Sequence, residues 1–148
     1  MPESRVLVIS RDASLVGWVE SEVERLGGLR LDAVDDIEVA CARAMRDGIG
    51  LIIVHLAGQV RTAGVARLLW VSSTFRRPAP VVAMSERYQV ERAIMLFQLG
   101  VTDYLSRSHH RNRLRDVIDA LALRSCERAA LSVEATPEAE RGSLSGAS

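Results

Sequence analysis

Lysine is absent from this 148-residue chain, and all nineteen of its basic residues are arginine. A guanidinium stays charged in proteins, so any mechanism that needs a neutral amine or a Schiff base is excluded. Cysteine is scarce: Cys41 and Cys126 lie far apart, each within a helical pattern. Such a pair predicts neither a disulfide framework nor a metal site, and it fits a reducing cytoplasm. Long apolar runs are missing too. None approaches the roughly 20 residues that cross a bilayer, and the opening "MPESRVLVIS" meets polar residues too soon for a signal peptide. The nineteen basic residues are matched by nineteen acidic ones, giving a formal net charge of zero. General nucleic-acid or membrane binding therefore has no electrostatic footprint here.

What is present is an alternation. Nearly half the residues are hydrophobic, enough for one domain with a sizeable core. "RVLVIS" (5–10) reads as a strand, and Asp12 then offers an N-cap for the helix "ASLVGWVESEVERLGG" (13–28), ended by its glycine pair. "LRLDAV" (29–34) is a partly polar strand of edge character. Asp35 or Asp36 caps "IEVACARAMRDG" (37–48), and the apolar strand "LIIVHL" (51–56) follows. The helix "TAGVARLLWVSSTF" (62–75) places Val65, Leu68, Leu69 and Ser72 on one face, and "PVVAMS" (80–85) is a third buried strand. In "RYQVERAIMLFQLG" (87–100), Val90, Ile94 and Phe97 stand in register as a core face. "VTDYL" (101–105) is the last strand, and "HHRNRLRDVIDALALRSCERAAL" (109–131) a long final helix with Leu114, Val117, Ile118 and Leu121 inward. From Ser132 the chain is small and polar without periodicity, as a linker or tail is; the domain is expected over 4–128. Trp18 and Trp70, flanked by apolar helix positions, are expected to pack in the core or partly at the surface.

Strict βα alternation with continuous apolar strands predicts an α/β fold with a parallel sheet and helices on both faces. Five such units fit the flavodoxin-like doubly wound sandwich, strand order 2-1-3-4-5. Ligands of such sheets bind beyond the carboxyl ends of the strands, so a histidine closing the apolar strand "LIIVH" draws attention.

"AIMLFQLGVTDYLSR" (93–107) resembles the segment of bacterial response-regulator receiver domains written A-x-x-x-x-x-x-G-A-x-D-Y-L-x-K-P, with Ala93, Gly100, Asp103, Tyr104 and Leu105 matching. "PVVAMSE" resembles the family's fourth strand, P-V-[IVL]-x-[ML]-[ST]-[AG]. "RVLVISRD" is similar to its opening V-L-[IV]-V-D-D, and "GLIIVHL" to D-[LV]-[IV]-[LIV]-x-D-[LIV]. The resemblance spans residues 4 to 125. It implies a site at the carboxyl edge of the sheet: carboxylates holding Mg²⁺, an aspartate accepting a phosphoryl group, a hydroxyl and a lysine contacting it. Position by position, the acidic pair falls on Ser10 and Arg11, the acceptor on His55, the hydroxyl on Ser85 and the lysine on Arg107. The loop "LAGQVRTAG" lacks the family's M-P-x-x-[DN]-G. The carboxylates are gone, and a guanidinium at Arg11 is expected to repel Mg²⁺, so neither metal nor cofactor is expected.

Arg11, His55, Ser85 and Arg107 are expected to converge, with few acids nearby and Glu86 able to pair with either arginine. The site then reads as an internally paired pocket, or as a small-anion cradle built on Arg11, Ser85 and Arg107. His55 reads as a histidine bonded to a loop before it reads as a phosphoryl acceptor or metal ligand. Tyr104 stands where the family's switch tyrosine swings in or out. The resemblance also implies a partner or dimer face on the fourth helix, fifth strand and fifth helix. There Arg111, Arg113 and Arg115 of "RSHHRNRLR" would meet Glu91 and Asp116 or Asp119 of a neighbour; His109 and His110 otherwise mark a solvated helix start.

Two functions are consistent with these features. One is a pseudo-receiver acting by protein contacts or self-association, the amino-terminal part of a transcription regulator whose DNA-binding effector would follow residue 148. The other is a stand-alone adaptor docking on a kinase or a motility or polarity complex. An enzyme is not expected: "SRDASL" (10–15) is no glycine-rich phosphate loop, and the sequence reveals neither a nucleophile–base pair nor an acid pair.

Overall fold

Why the strands sit where they do follows from residue type. β-branched and leucine side chains cluster in short runs, and each run sheds water only as part of a covered sheet. In the structure, a computed structural model describing residues 4–45, 48–57, 62–74 and 78–124, five such runs form one parallel sheet. They are β1 (Ser4–Ile9), β2 (Leu29–Val34), β3 (Ile49–His55), β4 (Val81–Ser85) and β5 (Asp103–Ser106), ordered 2-1-3-4-5. The expected doubly wound architecture is therefore the observed one. Between the strands run α1 (Ala13–Leu26), α2 (Ile37–Ala44), α3 (Thr62–Ser73) and α4 (Val90–Leu99), and α5 occupies 111–124 after β5. Cys126 and the 132–148 tail lie outside the described residues, as does part of the loop after His55.

Local chemistry sets the helix ends. Asp12 caps α1 by accepting from the Ser14 and Leu15 backbone N–H groups, and Asp36, not Asp35, caps α2 through Glu38 N–H. Gly100 ends α4 in the left-handed region at φ 111°, where its N–H returns to the Leu96 carbonyl.

Alternation along each strand sorts the core into two layers. Leu7, Ile9, Ile52, Val54, Val81, Ala83 and Tyr104 face α2, α3 and α4, meeting Ala40, Cys41, Val65, Leu68, Ala93 and Leu96. Val6, Val8, Leu51, Ile53, Val82, Met84 and Leu105 face α1 and α5, meeting Leu15, Val19, Val23, Leu114, Ile118 and Leu121. The β1–β3 register skips Gly50, since Arg5 pairs Ile49 and Val6 pairs Leu51. A Cβ at Gly50 would stand 2.7 Å from a Leu121 methyl, so the irregularity lets α5 lie close on the sheet.

One expected face is wrong. Val90, Ile94 and Phe97 do line up, but they point to solvent at 66, 55 and 46 % exposure, while Ala93 and Leu96 are buried. Periodicity reveals a stripe without saying which stripe meets the sheet, and α4 carries more than one. Leu69 of α3 is only partly buried, with Val71 taking a buried place beside Val65 and Leu68. Trp18 is partly buried, but Trp70 is 69 % exposed and belongs to neither core layer.

Candidate functional site

All five strands run parallel, so their carboxyl ends share one edge, and the residues just past β1, β3, β4 and β5 are brought together. β1 delivers Ser10 and Asp12, β3 ends on His55, β4 is followed by Glu86, and β5 by Arg107. His55 is 4 % exposed and uses both ring nitrogens. Nε2 lies 3.2 Å from Glu86 Oε1 and Nδ1 lies 2.9 Å from Ser10 Oγ. A carboxylate only accepts, so Nε2–H donates to Glu86, and in the neutral ring Nδ1 then accepts the Ser10 hydroxyl proton. Ser10 Oγ in turn accepts the Asp12 N–H at 3.0 Å.

Arg107 closes the network from the β5 side. It reaches Asp12 Oδ2, Ser14 Oγ and, at 3.3 Å, Glu86 Oε1. The Ser14 hydroxyl and the Arg107 guanidinium hold the Asp12 carboxyl well below the usual carboxylate range. Asp12 pushes Arg107 above its ordinary value.

Two expected members of this cluster are elsewhere. Arg11 is exposed and directs Nε to the Asp35 carbonyl at 3.4 Å, on the β2 side. Ser85 turns inward: its hydroxyl donates to the Arg87 carbonyl at 2.6 Å and meets Tyr104 Oη at 2.6 Å. Tyr104 is 1 % exposed, and its ring stacks on Tyr88 with centroids 4.9 Å apart. The expected convergence of Arg11, Ser85 and Arg107 on one anion is thus not assembled. Past the end of β1 the backbone bends, and Ser10 stays buried on His55 while Arg11 turns out toward Asp35.

The expectation of few acids needs a second correction. Beside Glu86, expected there from the sequence, Asp12, visible in the sequence only as a helix cap, brings a second carboxylate to the site. The signal was present, since an acid stands one residue past the family's acidic pair. A third correction follows, because Ser10 and His55 are a hydroxyl and a base in hydrogen-bond contact. A sequence cannot pair residues 45 positions apart without their strands.

Within the chain, the charged run on α5 has partners of its own. Arg115 reaches Glu22 of α1 through Nε at 3.1 Å and a terminal nitrogen at 2.6 Å. Arg25 bridges Glu22 and Asp119, and Arg111 lies 5.4 Å from the Trp18 ring centre. Arg113 pairs with Asp103. Glu91 and Asp116 are exposed. His110 accepts the Ser106 N–H on Nδ1, tying β5 to the start of α5.

No family model matches the chain, and no curated protein matches it. Solved structures do. The signal receiver domain of a LuxO repressor protein from Vibrio parahaemolyticus matches with a TM-score of 0.67 and 22 % identity, over 87 % of this chain and 97 % of that one. In fold, the chain is a receiver-like domain. An orphan response regulator of H. pylori matches at 0.66 and 21 %, over 82 % of this chain and 98 % of that one. A protein described as an atypical orphan response regulator with a phosphorylation-independent mechanism matches at 0.64 and 22 %, over 80 % and 94 %.

A receiver's Mg²⁺ does not fit the residues at this edge. Hard divalent cations need free oxygen ligands, and here Asp12 and Glu86 are both engaged by the same guanidinium. The neutralising cation is Arg107 at the lysine position, not Arg11 as the sequence suggested. Among the described residues no group of three or more His, Cys, Asp or Glu side chains stands ready for a metal, and no helix is long and apolar enough to cross a membrane.

Proposed function

We propose that this chain is a receiver-like signalling module that is not switched by aspartyl phosphorylation, the regulatory part of a bacterial transcription regulator that works through protein contacts. One observation carries the reading. At the acceptor position stands a buried histidine with both nitrogens hydrogen-bonded, beside carboxylates already held by Arg107. Phosphoryl transfer to an aspartate needs a carboxylate at that position and free carboxylates beside it to hold a charge-shielding metal, whereas here the position is His55 and both neighbouring carboxylates are paired with Arg107.

The same reading assigns output to a contact face. With Tyr104 turned inward and tied to Ser85 and Arg87 O, α4 begins immediately beyond that contact. Val90, Ile94 and Phe97 are then offered to solvent, with Glu91 and Arg92 alongside. Both charge signs flank the apolar stripe, which suits a second copy packed about a two-fold axis.

Incubation with acetyl phosphate and Mg²⁺, followed by intact mass, tests the first part. The expected spectrum has no added phosphoryl group; an aspartyl phosphate would overturn the reading. Light scattering across a concentration series tests the second, with mass rising toward a dimer.

A further inference from the structure

We propose that Ser10 is an activated acyl acceptor, a covalent modification site for small activated acyl groups with His55 as its base. The inference stands on geometry at the sheet edge and does not rest on the signalling reading.

Three features of Ser10 support it. Its hydroxyl donates to His55 Nδ1 at 2.9 Å, and the imidazole is fixed by Glu86 at 3.2 Å on the other nitrogen. A nucleophile held by a base that is itself oriented by a carboxylate is the arrangement that activates serine. The Asp12 N–H, donating to Ser10 Oγ at 3.0 Å, fixes that oxygen in place with its own proton directed at His55. Finally, Ser10 retains 9 % exposure, and an open cleft of about 310 Å³ adjoins it, lined also by Ala33, Val34, Asp35, Val39 and Arg43. That volume is at the small end for ligand sites, and Asp35 and Arg43 line it beside Ala33, Val34 and Val39, so a group as small as acetyl is what it suits.

The step balances without an oxidant, reductant or metal. Ser10 Oγ attacks the carbonyl carbon of an activated ester, and the Oγ–C bond forms. The hydroxyl proton passes to His55 Nδ1. The bond from the carbonyl carbon to the leaving oxygen breaks, and the leaving group takes the proton, giving O-acyl-Ser10 and an alcohol or phenol. Glu86 acts through His55 as a positioning residue.

The probe is p-nitrophenyl acetate, read by nitrophenolate release, intact mass and peptide mapping. Absence of lysine makes the chain well suited to this test, since no ε-amine competes for the acyl group. The expected result is a single acetyl adduct on the peptide holding Ser10, absent from Ser10→Ala. His55→Gln should slow its formation about a hundredfold, with circular dichroism showing both variants folded. Glu86→Gln, whose amide oxygen still accepts Nε2–H, should retain more of the rate than Glu86→Ala. No adduct on the parent, an adduct on another residue, or an unchanged rate in His55→Gln each overturns the proposal. Should the variants fail to fold, the site of acetylation on the parent chain decides alone.

Discussion

The two flanks of this domain solve the same problem in opposite ways. On one side, α5 lies on α1, and the polar residues between them satisfy one another. Glu22, 5 % exposed, is gripped by Arg25 and Arg115, Arg25 extends to Asp119, and Arg111 covers Trp18. On the other side, α4 buries only Ala93 and Leu96 and leaves Val90, Ile94 and Phe97 in water. The charged flank looked in the sequence like the contact face, yet Arg113 and Arg115 pair with Asp103 and Glu22 of the same chain. The apolar flank looked like core, yet it is the surface with something left to bury. A contact face is better sought where apolar area is uncompensated than where charge is dense.

The sharpest way to break this contrast lies within α4 itself. Leu96 and Phe97 are adjacent, 2 % and 46 % exposed. Leu96→Ala should cost about 2–4 kcal/mol, the range for a buried leucine that leaves a cavity. Phe97→Ala should stay within about 0.5 kcal/mol. Urea unfolding of the two variants measures the gap. Equal costs would place Phe97 in the core, as its periodicity suggested, and would abolish the free face.

The next effect belongs to the opposite flank. Glu22→Gln removes a charge that two arginines hold, but both are about half exposed and solvent screens them, so about 1 kcal/mol at pH 7 is expected. Its pH dependence is more telling. Arg115 before all else holds the Glu22 carboxyl below its ordinary range. A group whose folded value is depressed contributes fully above its unfolded value, near 4.3 for glutamate, and loses that contribution as pH falls toward the folded one. The gap between parent and Glu22→Gln should therefore hold from neutral pH to about 4.3 and close below it. A gap independent of pH would mean packing, not charge, accounts for the loss.

How much of this was legible beforehand divides along physical lines. Strands announced themselves because a parallel sheet buries both faces, so "VLVI", "LIIV" and "VVAM" are continuous apolar runs. The matched D-Y-L segment then fixed which ends mattered, placing His55 and Arg107 at one edge. What the sequence hid is orientation. Arg11 and Ser10 are neighbours that the strand end sends in different directions. Ser85 turned inward, where the Arg87 carbonyl and Tyr104 Oη both engage its hydroxyl. Asp12 was visible as a cap, but a cap's carboxylate can also face a guanidinium 95 residues away. These choices are made by tertiary contacts, which no local pattern encodes.

A smaller effect tests the link between the edge and the free flank. Tyr104→Phe deletes one hydroxyl that meets Ser85 and the Arg87 carbonyl, while Ser85 can keep its own bond to Arg87 O. The cost should be about 1 kcal/mol. Amide exchange should quicken through 86–90, the segment leading into α4. Exchange unchanged there would mean the tyrosine anchors only itself.

The smallest effect on stability should have the largest effect on association. Ile94 is 55 % exposed at the centre of the α4 stripe, so Ile94→Asp removes no core contact and should alter unfolding by no more than about 0.5 kcal/mol. Across a two-fold interface, however, the same substitution would set a carboxylate against its symmetry mate in an apolar patch, an arrangement that costs several kcal/mol. Light scattering of the parent and variant at matched concentration should therefore show the parent's added mass lost while the melting curves overlay. Arg113→Ala offers the complementary measurement. Its guanidinium is already paired with Asp103 at 2.5 Å in the same chain, so if α4 supplies the contact, removing it should leave association nearly intact. Should Arg113→Ala dissociate the assembly and Ile94→Asp not, the charged residues of α5 would after all be the ones that meet the neighbour, and the two flanks would exchange roles.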